Sequence, residues 1–103
     1  MLEEHQAVDI VLLDTRKLTP LMDFFVIATV ESDRQGKMLE EIVREELKKA
    51  HNMRPLSTEG EPASGWILMD YNSVIVHLFS EAGRERYRLQ ELWGDAPVLL
   101  RIQ

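Results

Sequence analysis

The chain has 103 residues, of which 45% are hydrophobic, so it is long enough for one domain with a packed core and is not expected to be disordered. Its 12 basic and 18 acidic residues give a net charge of -6, which disfavours direct nucleic-acid binding because that binding depends on Lys and Arg displacing counterions. The sequence contains no cysteine, which excludes disulfides and thiolate chemistry, and no hydrophobic run reaches the ~18 residues of a membrane span. The acidic N-terminal residues do not have the basic and hydrophobic pattern of a signal peptide, and we expect a cytoplasmic protein.

Two short hydrophobic runs, 8–13 (VDIVLL) and 24–30 (FFVIATV), open the chain. They are rich in β-branched and aromatic residues, which predicts two strands buried on both faces near the middle of a sheet. The ten residues between them, DTRKLTPLMD, are too few for a typical helical crossover. We therefore expect the two strands to pair antiparallel.

A helix is predicted over residues 32–50, because Ser32 and Gln35 form a capping-box pattern and hydrophobic residues recur at helical spacing. Glu40 and Arg44 stand in the favourable acid-first i,i+4 order. The next segment, 51–65 (HNMRPLSTEGEPASG), has two prolines and two glycines and predicts a long internal loop.

Residues 65–79 (GWILMDYNSVIVHLF) predict a hairpin. If Asn72 and Ser73 form a two-residue turn, Ile67 lies opposite Leu78, whereas a four-residue turn over 70–73 shifts the pairing by two and leaves the same side chains on each face. Strand alternation then gives two faces. The first face is hydrophobic and predicts core: Ile67, Met69, Tyr71, Val74, Val76 and Leu78. The second mixes aromatic and polar residues: Trp66, Leu68, Asp70, Ile75, His77 and Phe79. Two interpretations stay open: a helix covers this second face and half-buries His77, or the aromatic residues are left open to a protein partner.

Residues 80–93 predict one helix with Ala82, Leu89, Leu92 and Trp93 roughly on one side. Gly94 ends it, and a last strand is expected over 98–102. Together these elements predict a single domain, 1–103, with about five strands and an α/β or α+β architecture.

Motifs for catalysis or metal binding are scarce. The three histidines have no metal-ligand spacing, and neither a nucleophile elbow nor a phosphate-binding glycine loop is present. Asp9, Asp14 and Asp23 lie in or beside strands, where a carboxylate metal site is conceivable, although such polar positions usually serve solvation. No catalytic residue, cofactor or metal is assigned.

Four segments nevertheless carry a family resemblance: DIVLLDTRKL, DFFVIATVESDRQ, GWILMDYNSVIVHLF and RYRLQELWGDAP. In this order and spacing, from about residue 9 to 97, they resemble the ribosomal silencing factor family, also called Iojap-like. The resemblance implies a small α/β domain with a mixed sheet and a core like that of nucleotidyltransferases. It also implies a non-catalytic translation repressor that binds a ribosomal protein on the inter-subunit face of the large ribosomal subunit. There it would block joining of the small subunit under nutrient limitation.

The resemblance also implies the partner-binding residues. Apart from Tyr71, which alternation places inside, the characteristic positions of the family fall on these residues: Trp66, Asp70, His77, Phe79, Tyr87, Leu89, Leu92 and Trp93. Among them, direct contact is expected of Trp66, His77, Phe79 and Tyr87, and a basic ribosomal protein would be attracted by the negative charge.

Two features depart from the family pattern: a short N-terminal segment, 1–7, and Val30, near a position where relatives often have glycine. Two alternatives stay open. One is a divergent magnesium-dependent nucleotidyltransferase-like enzyme that uses the aspartates, and the other is a homodimerising interaction module.

Overall fold

The computed structural model describes residue 2 and residues 6–102, except for the side chain of Pro62, so His5 and most of the short N-terminal segment lie outside the described residues. The strands are β1 Val8–Asp14, β2 Phe24–Val30, β3 Ser57–Glu59, β4 Trp66–Asp70, β5 Val74–Ser80 and β6 Val98–Ile102. The helices are α1 Asp33–His51, α2 Glu81–Tyr87 and α3 Leu89–Leu92.

All six strands form one mixed sheet in the order β3-β4-β5-β2-β1-β6. As expected, β1 pairs antiparallel with β2, and β4 pairs antiparallel with β5. These two hairpins are joined by the parallel pairing of β2 with β5. The predicted mixed α/β fold is therefore confirmed, with six strands rather than about five, and the two first hydrophobic runs occupy interior positions of the sheet.

Helix α1 covers one face of the sheet, which we call the α1 face. Its N-cap is formed as predicted, since the Ser32 hydroxyl accepts a hydrogen bond of 3.1 Å from the Gln35 backbone N–H. Leu39 and Val43 are buried against the hydrophobic side of the hairpin. The Glu40–Arg44 pair is present at 3.7 Å, and Arg44 also donates a hydrogen bond of 3.0 Å to the Thr58 hydroxyl of β3.

The opposite side of the sheet, which we call the aromatic face, carries Trp66, His77 and Phe79 and is partly covered by α2 and α3. Its buried cluster joins residues of β1, β2, β5, α3 and the segment between α3 and β6: Val11, Leu13, Phe25, Ile27, Phe79, Leu89 and Ala96. The domain therefore has helices on both sides of the sheet. Helix α1 is long, with 19 residues, whereas α2 and α3 have only 7 and 4 residues. The short α2 and α3 leave the β3–β4 end of the aromatic face without a helical cover.

Two sequence predictions need correction. The segment 51–65 is not entirely loop, since it contains strand β3 and a 3-10 turn at Pro62–Ser64. β3 is polar and owes its conformation to pairing with β4. The single helix predicted over 80–93 is two helices, because Arg88 adopts a left-handed conformation with φ 45° between them. This break buries Leu89 and leaves Leu92 exposed, so the two residues do not share a buried side.

Candidate protein-binding surface

The hairpin of β4 and β5 positions the candidate site, and of the two registers considered it has that of the two-residue turn. Ile67 lies opposite Leu78, and the Tyr71 backbone N–H donates to the Val74 carbonyl at 2.9 Å. The turn is stabilised by the Asp70 carboxylate, which accepts from the Asn72 backbone N–H at 2.8 Å. Side-chain alternation therefore places the two faces as the sequence predicts.

Trp66 is held in a fixed orientation by its neighbours on the aromatic face. Its indole N–H donates to Nδ1 of His77 at 3.1 Å, and its ring stacks on Phe79 with centroids 5.1 Å apart. The Tyr87 ring, at the end of α2, lies 4.7 Å from the Trp66 ring. Because these contacts come from three residues on two elements, β5 and α2, the indole ring is preorganised before any partner arrives.

His77 lies beneath this arrangement. Its Nδ1 accepts the hydrogen bond from Trp66, so the imidazole proton is on Nε2, which is buried and has no hydrogen-bond partner among the described residues. The Phe25 ring packs edge-on against it at 4.7 Å. Burial in these aromatic surroundings disfavours the charged imidazolium and lowers the pKa of His77 to about 4.

The expectation that His77 and Phe79 contact a partner directly needs correction. Their exposed fractions are 3% and 0%, and Leu89 is only 7% exposed, because α2, α3 and the Trp66 ring pack over the centre of the aromatic face. Of the two interpretations of this face, the helix cover therefore applies to its centre. These three side chains support the surface from below.

The remaining predicted residues are accessible. Tyr87 is 38% exposed and Leu92 is 77% exposed. Trp66, Asp70 and Trp93 are half-buried. Trp93 packs edge-on against Phe25, with ring centroids 5.0 Å apart.

Two residues of this region were not predicted as site residues. Leu68 is half-buried on the aromatic face between Trp66 and Asp70, where alternation along β4 places it without assigning it a binding role. Glu59 is exposed on β3 and is paired with Leu68 across the strands, so it lies on the same face. It was missed because β3 was not predicted.

We call the accessible β3–β4 end of the aromatic face the β4 patch, comprising Glu59, Trp66, Leu68, Asp70 and Tyr87. Its rings and the Leu68 side chain offer hydrophobic contact area, and its two carboxylates lie on the edge strand β3 (Glu59) and at the end of β4 (Asp70). This composition suits a protein partner that presents hydrophobic groups beside basic ones.

Two of the three aspartates considered for metal binding, Asp9 and Asp14, are paired with arginines. Asp9 lies 3.5 Å from Arg84 and 3.4 Å from Arg101. Asp14 accepts hydrogen bonds from Arg16, which lower the pKa of its carboxyl group to about 2. Among the described residues, no group of three His, Cys, Asp or Glu side chains could hold a metal ion. In the same part of the chain, no helix has the length and hydrophobicity needed to cross a membrane.

These features define a small α/β protein with a candidate protein-binding surface at one end of a sheet face. A family profile described as "Ribosomal silencing factor during starvation" matches residues 1–103. The chain belongs to the ribosomal silencing factor family. The predicted family is thus confirmed, and a role in translation regulation follows from it.

Individual relatives agree with this assignment. The ribosomal silencing factor of Chromobacterium violaceum is 39% identical over 93 residues, which cover 90% of this chain and 75% of that protein. A crystal structure of a protein from the same organism superposes with a TM-score of 0.84 over 90% of this chain and 77% of that chain, at 39% identity. The maize chloroplastic protein Iojap is 33% identical over 93 residues, or 90% of this chain and 42% of that protein. A mouse protein named "Mitochondrial assembly of ribosomal large subunit protein 1" is 27% identical over 95 residues, which cover 90% of this chain and 42% of that protein.

Proposed function

We propose that this protein binds the large ribosomal subunit by docking on a basic ribosomal protein at the inter-subunit face, and that it blocks joining of the small subunit. It acts in the cytoplasm, represses translation under nutrient limitation and catalyses no reaction. Family membership supports the link to ribosome silencing. The printed name of the mouse relative, which refers to the large ribosomal subunit, supports the choice of subunit.

The observation that carries the proposal is the accessible, preorganised aromatic pair of the β4 patch. Trp66 and Tyr87 are in contact at 4.7 Å, and Trp and Tyr are the residue types most often found at interface hot spots. The His77 hydrogen bond fixes the indole, so little side-chain entropy is lost when a partner covers it. Leu68 extends the same hydrophobic surface along β4.

Repression then requires only that the protein stays bound on the inter-subunit face of the large subunit. The domain measures 34 × 32 × 23 Å, and a folded body of that size on the inter-subunit face excludes the same volume from the small subunit. Binding energy at the β4 patch determines how long the block lasts, because most affinity differences between related complexes lie in the dissociation rate. The pairing of Asp9 and Asp14 with arginines favours this function over a magnesium-dependent enzyme.

Tyr87→Ala tests the surface. We expect this substitution to weaken binding to purified large subunits by about 2 kcal/mol, because it removes a ring at the centre of the proposed contact. Binding is measured by co-sedimentation over a range of protein concentrations, and repression by the rate at which small subunits join the loaded large subunits. Met38→Ala is the control, since Met38 is similarly exposed but lies on α1.

The outcomes separate the parts of the proposal. If the unaltered protein neither co-sediments with large subunits nor slows subunit joining, the proposed function is wrong. If Tyr87→Ala binds as tightly as Met38→Ala does, the function stands and the surface is wrong. Sedimentation of the free protein at micromolar concentration tests the homodimer alternative in the same preparation.

A further inference from the structure

A small pocket opens in the β4 patch beside the two aromatic rings. Its volume is about 240 Å³. The lining residues come from β3, β4, the end of α2 and the intervening loop: Glu59, Gly60, Ser64, Trp66, Leu68 and Tyr87. Apart from Gly60, these residues supply two aromatic rings, one aliphatic group, one hydroxyl and a single charge, which is the carboxylate of Glu59.

The chain conformation holds Glu59 close to the rings. Gly60 follows it with φ +84°, and a Cβ atom at this position would lie 2.0 Å from the carbonyl oxygen of Trp66. Only glycine permits this approach, so β3 ends directly against the start of β4. The Ser64 hydroxyl donates across the same corner to the Glu61 carbonyl at 2.7 Å. The backbone of Glu59 and the two rings therefore belong to one corner of the sheet.

The chemistry of this pocket matches a cation. Aromatic ring faces are electronegative and attract ammonium and guanidinium groups, most strongly at Trp. The protein itself provides an example, since the guanidinium of Arg86 lies over the Tyr87 ring, 5.6 Å from its centroid. Glu59, on β3, adds a formal negative charge to the lining. Leu68 can pack against the aliphatic stem that carries the cation.

Building on the proposed function, we propose that this pocket receives one lysine or arginine side chain of the ribosomal protein partner. The cation contacts the Trp66 and Tyr87 rings and pairs with the Glu59 carboxylate, and its stem lies along Leu68. The pocket thereby sets the register of docking, because a single inserted side chain fixes the partner on the β4 patch. Glu59 is then the acidic residue of this negatively charged protein that contacts the basic partner directly.

A pair of charge-matched variants tests the pocket on the intact complex. Glu59→Gln and Glu45→Gln each remove one negative charge, but Glu45 is exposed on α1. Long-range attraction to the basic partner is reduced equally in both variants, so any difference between their affinities for large subunits measures the contribution of the pocket. We expect Glu59→Gln to bind purified large subunits about five-fold more weakly than Glu45→Gln. Equal binding of the two variants overturns the inference. Tighter binding of Glu59→Gln does so too, and points to an anionic occupant such as nucleic acid.

A second measurement does not depend on the ribosome. The side-chain N–H resonance of Trp66 is followed by NMR while N-acetyl-arginine amide is added, with N-acetyl-citrulline amide as the uncharged probe of similar shape. Trp93, the only other tryptophan, is the internal reference. We expect arginine to shift the Trp66 signal more than citrulline does, and Glu59→Gln to abolish the difference.

The two measurements distinguish the possible failures. If Trp66 responds equally to both probes in the unaltered protein, the pocket does not select a cation and the inference is wrong, even where large-subunit binding is normal. If Trp66 selects arginine but the protein ignores large subunits, the proposed function is wrong and the cation pocket stands with a different protein partner.

Discussion

At the scale of single residues, His77 links stability to pH. The buried ring is neutral in the folded protein, with a pKa of about 4, whereas an unfolded histidine titrates near 6.5. Between these values the unfolded chain binds a proton that the folded chain does not. The contribution of His77 is therefore fully present above the unfolded pKa and is lost as the pH falls from about 6.5 towards 4.

We expect the free energy of unfolding to fall by about 2 kcal/mol through His77 between about pH 7 and pH 5. Urea unfolding at a series of pH values measures it. His77→Gln is the comparison, because glutamine offers Trp66 an acceptor oxygen but does not titrate, and carboxylates contribute equally to both curves. Parallel pH profiles for the two proteins would show that the imidazole is not responsible.

At the scale of elements, the position of α2 against the β4–β5 hairpin depends on a close contact between two glycines. A Cβ atom at Gly83 would lie 2.1 Å from the carbonyl oxygen of Gly65, which immediately precedes β4. The Ser80 hydroxyl caps the same helix by accepting from the Gly83 backbone N–H at 2.9 Å. This close approach sets the distance between α2 and the hairpin, and hence the position of Tyr87 beside Trp66.

Gly83→Ala should therefore destabilise the protein by about 2 kcal/mol, the usual cost of a core contact that has no room for an added methyl group. It should also weaken large-subunit binding beyond this loss, because α2 must move and carries Tyr87 with it. Denaturant unfolding and co-sedimentation measure the two effects. Glu85→Ala, at an exposed position of α2, is the control. Identical unfolding midpoints would mean that the helix can shift without cost.

Local patterns account for the strands and the hairpin but not for everything at the site. Alternation along 65–79 predicts which side chains share a face of the β4–β5 hairpin, which the structure confirms, and the turn at Asn72–Ser73 then sets the register between the two that the sequence allows. β3 has only three residues and depends on β4, and the left-handed Arg88 carries no local signal, since arginine has no preference for that conformation.

The sequence pattern predicts even less well which side chains of the aromatic face are exposed to solvent. Trp66 and Phe79 are cross-strand neighbours on one face, yet Phe79 is buried and Trp66 is partly open. The difference arises because the chain after Ser80 turns back over β5 and places α2 above Phe79, which is a tertiary arrangement. Sequence pattern therefore identifies the face of the hairpin that carries the site, whereas the fold decides which residues a partner can reach.

At the scale of the whole molecule, the net charge of -6 should act on the rate of encounter with a basic partner. We expect association with large subunits to slow as monovalent salt is raised from about 0.05 to 0.5 M, while dissociation changes less, because screening acts mainly on separated charges. Surface-immobilised protein and purified subunits give both rates, with magnesium held constant. Salt-independent association would contradict electrostatic attraction but leave the hydrophobic contact of the β4 patch untouched.

The parallel pairing of β2 with β5 also has a consequence for biosynthesis. It aligns Phe24 with Val74, two positions far apart in the chain, whereas each hairpin closes over a short connection. Closing the longer loop costs more chain entropy, so the two hairpins can form before they join. While the chain is being translated, the open edge of β2 has no neighbour until β5 emerges. A newly made chain therefore passes through a stage with an unpaired strand edge, at which premature association with other chains is most favoured.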